Sequence, residues 1–257
     1  CNVLIFQARE ITTAPNWNRN IVTKVNAEIE GIERFVKSKY IPIDNVYGKT
    51  TVFGQMPDWN PVEMIGRAPN SLSYSLYKLL ITDDAWRLAR KQMGYAVPTG
   101  QKLMVSLAGQ PYIDTRLSFH SYLPNTIDKD MGNKIVDHCV KQLREKPSLH
   151  DKIEFKIAVT CYSLDVKEKI KELYGEILDK REQDIFFEKI REITIPLITG
   201  DTSSSIENCI DQVNKLKNIP NTSNPKDVTN LFVQIENCIE YGTIQFAILA
   251  RHGFIAK

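Results

Sequence analysis

Cysteines are few in this sequence, and no two of them have the close spacing of a paired motif. The total is odd and no CxxC pair occurs; the five cysteines stand at positions 1, 139, 161, 209 and 238. A disulfide framework is typically built from an even number of cysteines, and a structural zinc site needs closely spaced thiols or imidazoles. The pattern therefore argues against both, predicts reduced and buried thiols, and favours a cytoplasmic location.

A strong excess of one charge and long apolar runs are also missing. Lys and Arg total 33 against 31 Asp and Glu, which leaves a net charge of +2, and no basic block is interleaved with aromatic residues. No window is long and apolar enough for a membrane-spanning helix, and the start, CNVLIFQARE, has neither the basic region nor the cleavage site of a signal peptide. We therefore expect neither a nucleic-acid partner nor a membrane partner.

The common catalytic fingerprints are absent as well. The sequence contains no GxxxxGK[ST], no GxGxxG after a strand, no HExxH and no GxSxG. These motifs would indicate a phosphate-binding loop, a dinucleotide site, a zinc protease or a serine hydrolase. No stand-alone catalytic constellation is visible, so any chemistry must come from less common groupings.

The most informative segment that is present is DWNPVEMIG at 58–66. It places Asp58, Trp59, Asn60 and Glu63 around a proline, which is typical of a shaped loop that enters a helix. A pair of carboxylates here could bind a metal, act as acid and base, or orient a hydroxylated substrate. Alternatively, Asp58 or Asn60 caps a helix that begins near Pro61, with Glu63 in its first turn.

A second polar group lies in the segment 113–121, which we predict to be a strand. The period of two along a strand would place Asp114, Arg116, Ser118 and His120 on one face. Such a face either lines a polar cleft, where Arg116 could hold a carboxylate or phosphate through its two-pronged guanidinium, or it faces solvent with an Asp114–Arg116 ion pair.

Two further arginines are candidate anion anchors. Arg67 follows the first motif, and Arg90 lies on the helix predicted after it. Either could bind an anionic group, although a single arginine on a helix is also typical of an ordinary surface.

Four ordered segments resemble the family of phosphoenolpyruvate synthase-like phosphotransferases. The chain has DWNPVEMIG at 58–66, SLYKLLITDDAW at 75–86, GY at 94–95 and GQPYIDTRLSFHS at 109–121, and the resemblance returns in YGTIQFAILARHGFIA at 241–256. It covers most of residues 1–165 and is weak between about 165 and 225. In place of His120, the relatives usually carry Asn.

The resemblance implies a role as the central, acceptor-binding or linking, segment of such an enzyme. In the family, ATP phosphorylates a histidine on a swivelling domain, and this histidine passes the phosphate to pyruvate or another small acceptor. ATP and Mg are therefore expected for the full-length protein but not to be retained by this chain alone, and the expected partners are the nucleotide-binding and phosphohistidine domains of the same polypeptide. None of the four histidines has the family's carrier context.

The resemblance also assigns roles near the N-terminus. Gln7 and Arg9 match the QxRPxT close of the family's nucleotide-binding domain and are expected to face ATP phosphates and metal, although Glu10 stands where the family has proline. The chain begins at Cys1, within a predicted strand at Val3–Phe6, which favours a piece of a longer polypeptide. The isolated chain is thus expected to be catalytically incomplete.

The predicted fold class is α+β, with mixed strands and helices in the first two-thirds and a helical C-terminal third. We divide the chain into 1–13 as the tail of an ATP-grasp-like domain, 14–165 as an α+β central domain, and 166–257 as a helical region packed on it. Apolar periodicity predicts helices around 21–36, 71–93, 128–143 and 166–197, the last broken near Gly175, and strands at 50–56, 102–108, 113–121 and 152–162.

Two other functions stay open at this stage. The chain could be a non-catalytic module that binds a ligand or partner through the 58–66 and 114–120 surfaces. It could also be a metal-dependent hydrolase built on Asp58, Glu63, Asp114 and His120.

Overall fold

The computed structural model describes residues 20–159 and 165–199, together with the single positions 210, 211 and 214. The chain divides into two compact units, Cys1–Ser38 and Lys39–Lys257. In the first unit, helix α1 (Ile21–Ser38) forms as predicted, and none of its residues is buried. Its apolar stripe, which includes Val25 and Ile29, is exposed.

The second unit contains a small antiparallel sheet. Its strands are β1 (Phe53–Gly54), β2 (Met104–Leu107) and β3 (Gln110–Asp114), in the order β1-β3-β2. Leu107 pairs with Gln110 across a two-residue turn in which Ala108 and Gly109 both have positive φ, the geometry that suits the twist of a hairpin. The predicted strands at 50–56 and 102–108 are thus present but shorter.

The prediction of a strand over 113–121 is wrong beyond Asp114. The strand ends there because the Asp114 carboxylate accepts hydrogen bonds from the backbone N–H groups of Arg116 (3.1 Å) and Leu117 (3.4 Å). These bonds cap a helix, α5 (Thr115–His120), whose residues are all buried. A helix turns about 100° per residue, so Asp114, Arg116, Ser118 and His120 do not share the single polar face that a strand would have given them.

The helix predicted over 71–93 is present in three pieces. Helix α3 (Ser71–Tyr77) starts at Asn70, whose side chain accepts from the N–H of Ser73 at 2.8 Å. A π-helical turn (Lys78–Asp83) follows, and α4 (Ala85–Gln92) completes the segment. The preceding motif forms the short helix α2 (Pro61–Ile65). Mid-helix π turns are frequent at functional sites.

The remaining described helices form most of the core. Helix α6 (Lys129–Glu145) confirms the helix predicted around 128–143, and the Asp128 side chain caps it. The predicted strand at 152–162 is wrong, since α7 (Glu154–Ile157) lies there: the N–H groups of Ile157 and Ala158 donate to the carbonyls four residues earlier, at 3.3 and 2.8 Å. Helices α8 (Val166–Tyr174) and α9 (Lys180–Thr199) are separated near Gly175, as predicted. The fold is therefore α+β and mostly helical, which confirms the predicted class.

Two apolar clusters lie in the described part of this second unit. The larger joins residues of α5, α6, α7, α8 and α9, and the smaller joins the sheet to the helices after the first motif through Tyr77, Trp86, Leu103 and Ile113. Within the described residues, no helix combines the length and apolarity needed to cross a membrane.

Gly132 supports a close contact on α6. A Cβ at this position would lie 2.7–2.9 Å from the ring of Tyr47. We expect Gly132→Ala to lower the free energy of unfolding by about 1–2 kcal/mol in urea denaturation, because the overpacking cost exceeds the gain in helix propensity. The matched control is Gly31→Ala on α1, where no neighbour lies within 4 Å and no loss is expected; an equal loss in both variants would contradict this reading.

Candidate functional site

The loop before α2 has a strained backbone. Asp58 and Asn60 both adopt left-handed conformations, with φ of 58° and 46°. This region is costly for most residues, and Asn and Asp tolerate it best because their short polar side chains bond locally. With this backbone conformation, the Asp58 side chain points into the protein interior, where it is only 4% exposed.

Asp58 is the centre of a buried hydrogen-bonded cluster. Its carboxylate accepts hydrogen bonds from Arg90 Nη2 (2.9 Å), Ser118 Oγ (2.9 Å) and Tyr122 Oη (3.3 Å). The Asp58 backbone N–H donates to the carboxylate of Glu154. We refer to Asp58, Arg90, Ser118, Tyr122 and Glu154 as the Asp58 cluster.

Arg90 contacts both Tyr122 and Asp58 within this cluster. Its guanidinium carbon lies 3.8 Å from the centroid of the Tyr122 ring, a cation–π contact, while Nη2 pairs with Asp58. Burial by itself lowers the pKa of Arg90, but Tyr122 and Asp58 outweigh it, and the net pKa is raised. Burial raises the pKa of Tyr122, which therefore stays a neutral hydroxyl donor. The expectation that Arg90 is an ordinary surface residue is wrong.

Glu154 adds a titratable group at the edge of the cluster. Burial raises the pKa of its carboxyl to about 7, and the nearby Asp58 adds to the rise, whereas the hydrogen bond from the Asp58 N–H opposes it. A carboxyl that titrates near neutrality is uncommon and marks candidate functional positions. The residue was missed in the sequence because 152–162 was predicted to be a strand; the spacing of Ile153 and Ile157 fits a strand and a helix equally and gave no signal for a helix.

The other residues of the first motif have separate positions. Asn60 caps α2 by accepting from the N–H of Glu63 at 3.4 Å, which agrees with the capping interpretation for Asn60. Trp59 packs against the smaller apolar cluster, its carbonyl accepts from the Tyr77 hydroxyl, and its Nε1 has no partner among the described residues. Glu63 and Arg67 are exposed. Only Asp58 therefore enters the buried cluster.

Asp114 and Arg116 are buried rather than paired at the surface. Besides capping α5, Asp114 accepts from Thr51 Oγ1 at 2.6 Å, and burial raises the pKa of its carboxyl. Arg116 is fully buried, donates from Nη1 to the Ile41 carbonyl at 2.7 Å, and has no partner for Nε or Nη2 among the described residues. Both the open polar face and the surface ion pair considered from the sequence are therefore wrong.

His120 lies on the far end of α5 from the cap and is 3% exposed. Its Nδ1 accepts from the backbone N–H of Tyr47 at 3.0 Å, and its Nε2 has no partner among the described residues. Burial lowers the pKa of the imidazole to about 4. The ring is therefore neutral at physiological pH.

The structure thus brings one residue of each predicted motif into contact. Asp58 meets Ser118 from the second motif, whereas Asp114, Arg116 and His120 have partners of their own. The carboxylates of Asp58 and Asp114 are occupied by other donors, and the described residues contain no grouping of three or more His, Cys, Asp or Glu suited to a metal ion. Gln7 and Arg9, with the segment 241–256, lie outside the described residues.

Comparison with known proteins identifies no relative. No protein-family model matches the chain. No curated protein matches it, and no solved structure does so. The family resemblance therefore rests on the sequence segments alone.

Proposed function

We propose that this chain is the central, acceptor-binding or linking, segment of a phosphoenolpyruvate synthase-like phosphotransferase. In this role the isolated chain does not bind ATP. It joins the nucleotide-binding and phosphohistidine domains and supports the site where phosphate passes from histidine to pyruvate or another small acceptor. Because the reaction draws on ATP, the proposal places the protein in the cytoplasm.

The observation that carries the proposal is the contact between three of the resembling segments around Asp58. Asp58 and Trp59 belong to the first segment, Tyr77 to the second, and Ser118 to the fourth. Asp58 bonds Ser118 directly, and Tyr77 bonds the carbonyl next to Asp58. Residues that match a family motif and also contact one another support a shared architecture better than motif letters alone.

The geometry also separates supporting residues from candidate contacts. The Asp58 carboxylate has three hydrogen-bond donors and is buried, so it organises the loop and is a poor candidate for a base or nucleophile. Glu63 in α2 and Arg67, just after the motif, are exposed. They are charged side chains that an acceptor or a docking phosphohistidine domain could reach.

The test uses the full-length gene product and the variant Glu63→Gln. We expect phosphohistidine formation from labelled ATP to be unchanged and transfer to pyruvate to fall by about tenfold, which corresponds to loss of one hydrogen bond to a charged group in the transition state. The matched control is Asp151→Asn, an exposed carboxylate outside both motifs, for which both steps should be unchanged.

Two outcomes would contradict the proposal. Equal phosphate transfer to pyruvate by Glu63→Gln and by the native protein would show that Glu63 is not part of the acceptor site. ATP turnover by residues 1–257 alone would show that the chain is a complete enzyme of another kind. In the first case the non-catalytic binding module becomes the better description.

A further inference from the structure

A pocket of about 370 Å³ lies beside His120, away from the residues of the Asp58 cluster. Its apolar wall is formed by Val46, Ala96, Val97 and Ile127, and Tyr47 closes one side. The size is at the lower end of the range for small-molecule sites, which combine an apolar lining with a few fixed polar groups. We refer to it as the His120 pocket.

The orientation of His120 in this pocket is fixed from two directions. Tyr47 donates its backbone N–H to Nδ1, and its ring centroid lies 4.5 Å from that of the imidazole. The Tyr47 hydroxyl in turn donates to the Ile127 carbonyl at 3.1 Å, which holds the Tyr47 ring. Since Nδ1 accepts a hydrogen bond, the proton of the neutral imidazole is on Nε2.

The Nε2–H group is therefore a positioned donor that lacks an acceptor among the described residues. A buried donor without a partner is costly, by about 1–3 kcal/mol. Proteins retain such a group where something else satisfies it, and His120 lines a pocket with room for a ligand.

The other polar groups of the pocket indicate the charge of that ligand. Lys129 brings an ammonium group, and the amides of Asn45 and Asn125 add hydrogen-bonding capacity. The neighbouring Asp128 caps α6 by accepting from the N–H of Met131 at 2.9 Å, but it keeps its negative charge: burial and, after it, this charge raise the pKa of the Tyr47 hydroxyl. Lys129 is the charged residue of the lining itself, and its ammonium group adds to the fixed donor of His120.

We propose that the His120 pocket binds a small organic anion whose carboxylate or phosphate oxygen accepts a hydrogen bond from His120 Nε2–H. The apolar part of the ligand packs against Val46, Ala96, Val97 and Ile127, and Lys129 pairs with its charge. The inference stands apart from phosphate transfer, because it concerns binding by this chain alone.

The low pKa of His120 agrees with this role. A neutral imidazole keeps the Nε2–H donor through the physiological pH range, so binding does not require protonation of the ring.

The experiment is a titration of the chain, labelled with ¹⁵N, at neutral pH. The probes are propionate, inorganic phosphate and the uncharged propionamide. We expect a saturable shift of His120 Nε2 with propionate or phosphate, with a dissociation constant on the order of 1 mM, and a much weaker response to propionamide. The tighter of the two anions identifies a carboxylate or a phosphate as the preferred group.

Three variants assign the binding to the pocket, with the backbone amide of Asn125 as the readout. His120→Phe removes the donor and should weaken binding by about tenfold, and Lys129→Gln should weaken it by up to about fivefold, as expected for loss of an exposed charge. Lys152→Gln, an exposed lysine that does not line the pocket, should bind as the native chain does.

The inference is overturned if neither anion gives a saturable shift at His120, or if propionamide binds as tightly as propionate. Unchanged affinity in His120→Phe would overturn it as well. None of these results would affect the test of phosphate transfer, which uses the full-length protein and a different loop.

Discussion

Asp58→Ala is expected to lower the free energy of unfolding by about 3–5 kcal/mol, because it leaves the buried Arg90 without its carboxylate partner. The two side chains are 4% and 8% exposed, so water cannot replace the lost contact. Ser118 and Tyr122 lose the same acceptor. The measurement is urea denaturation at neutral pH, with Glu63→Ala as the control from the same motif; Glu63 is exposed and should change stability by no more than about 0.5 kcal/mol.

Asp58→Asn separates the charge from the backbone strain. Asn tolerates the left-handed conformation at this position nearly as well as Asp, whereas for Ala the conformation costs about 1 kcal/mol or more. The Asp58→Asn variant would therefore keep the loop geometry while removing the charge. Its loss in the free energy of unfolding should be about 1 kcal/mol smaller than that of Asp58→Ala. A change below about 1 kcal/mol in Asp58→Ala itself would contradict the assignment of this residue as the centre of the cluster.

The second large effect is a pH dependence that belongs to Glu154. Its folded-state pKa of about 7 lies above the ordinary value of 4.5, so the folded protein holds the proton more tightly than the unfolded chain. The resulting stability is fully present below pH 4.5 and is lost as the pH rises through 7. Gln at this position keeps the oxygen that accepts from the Asp58 N–H but does not ionise. The free energy of unfolding of Glu154→Gln, relative to that of the native chain, should therefore rise by about 2 kcal/mol as the pH goes from about 5.5 to about 8.

His120 opposes Glu154 over part of this range. Burial lowers the pKa of the imidazole from 6.5 to about 4, so its contribution is present above pH 6.5 and is lost as the pH falls through 4. Between about pH 5.5 and pH 8, the rise of about 1.4 kcal/mol from His120 offsets part of the loss of about 2 kcal/mol from Glu154 in the native chain. In Glu154→Gln only the His120 contribution remains, and the free energy of unfolding should rise by about 1.4 kcal/mol over the same range.

The comparison uses denaturation curves at both pH values for the native chain, Glu154→Gln and the exposed control Glu63→Gln. A parallel pH profile for the native chain and Glu154→Gln would contradict the raised pKa. A profile of Glu63→Gln that departs from the native one would show that the effect is not specific to the buried carboxyl.

Local signals in the sequence predicted much of the fold. The periodic segment over 128–143 indicated α6, and Gly175 indicated the break between α8 and α9, since both signals depend on residues that are close in the sequence. The class, α+β with mostly helical content, follows from these same patterns. The strands β1 and β2 were placed correctly but predicted too long, because their ends are set by pairing with distant partners, whereas β3 lies mostly before the strand predicted over 113–121.

The main error concerned α5. An alternating polar pattern from Asp114 to His120 is typical of a strand, yet all four of its polar members are buried in a helix that Asp114 caps. The period-two pattern could not reveal that Thr51 and the helix N–H groups would satisfy the Asp114 carboxylate, because Thr51 lies 63 residues away in the chain. The tertiary contact decided between the two structures.

The candidate site was predictable only in part. Its centre, Asp58, stood out through the density of special residues around it, but its partners Arg90, Tyr122 and Glu154 come from three other segments. Their burial and convergence arise from packing and have no local signature. The pocket at His120 likewise depends on Tyr47, which is 73 residues distant and has no motif of its own.

The most direct test of the central claim is to incubate the native gene product with ATP labelled in the transferable phosphate and to analyse it for acid-labile phosphohistidine. The account predicts label on a polypeptide larger than the 29.4 kDa of these residues, at a histidine outside residues 1–257, and loss of the label when pyruvate or another acceptor is added. A native product of 29.4 kDa that takes up no label would contradict the phosphotransferase role and leave a binding module as the better description.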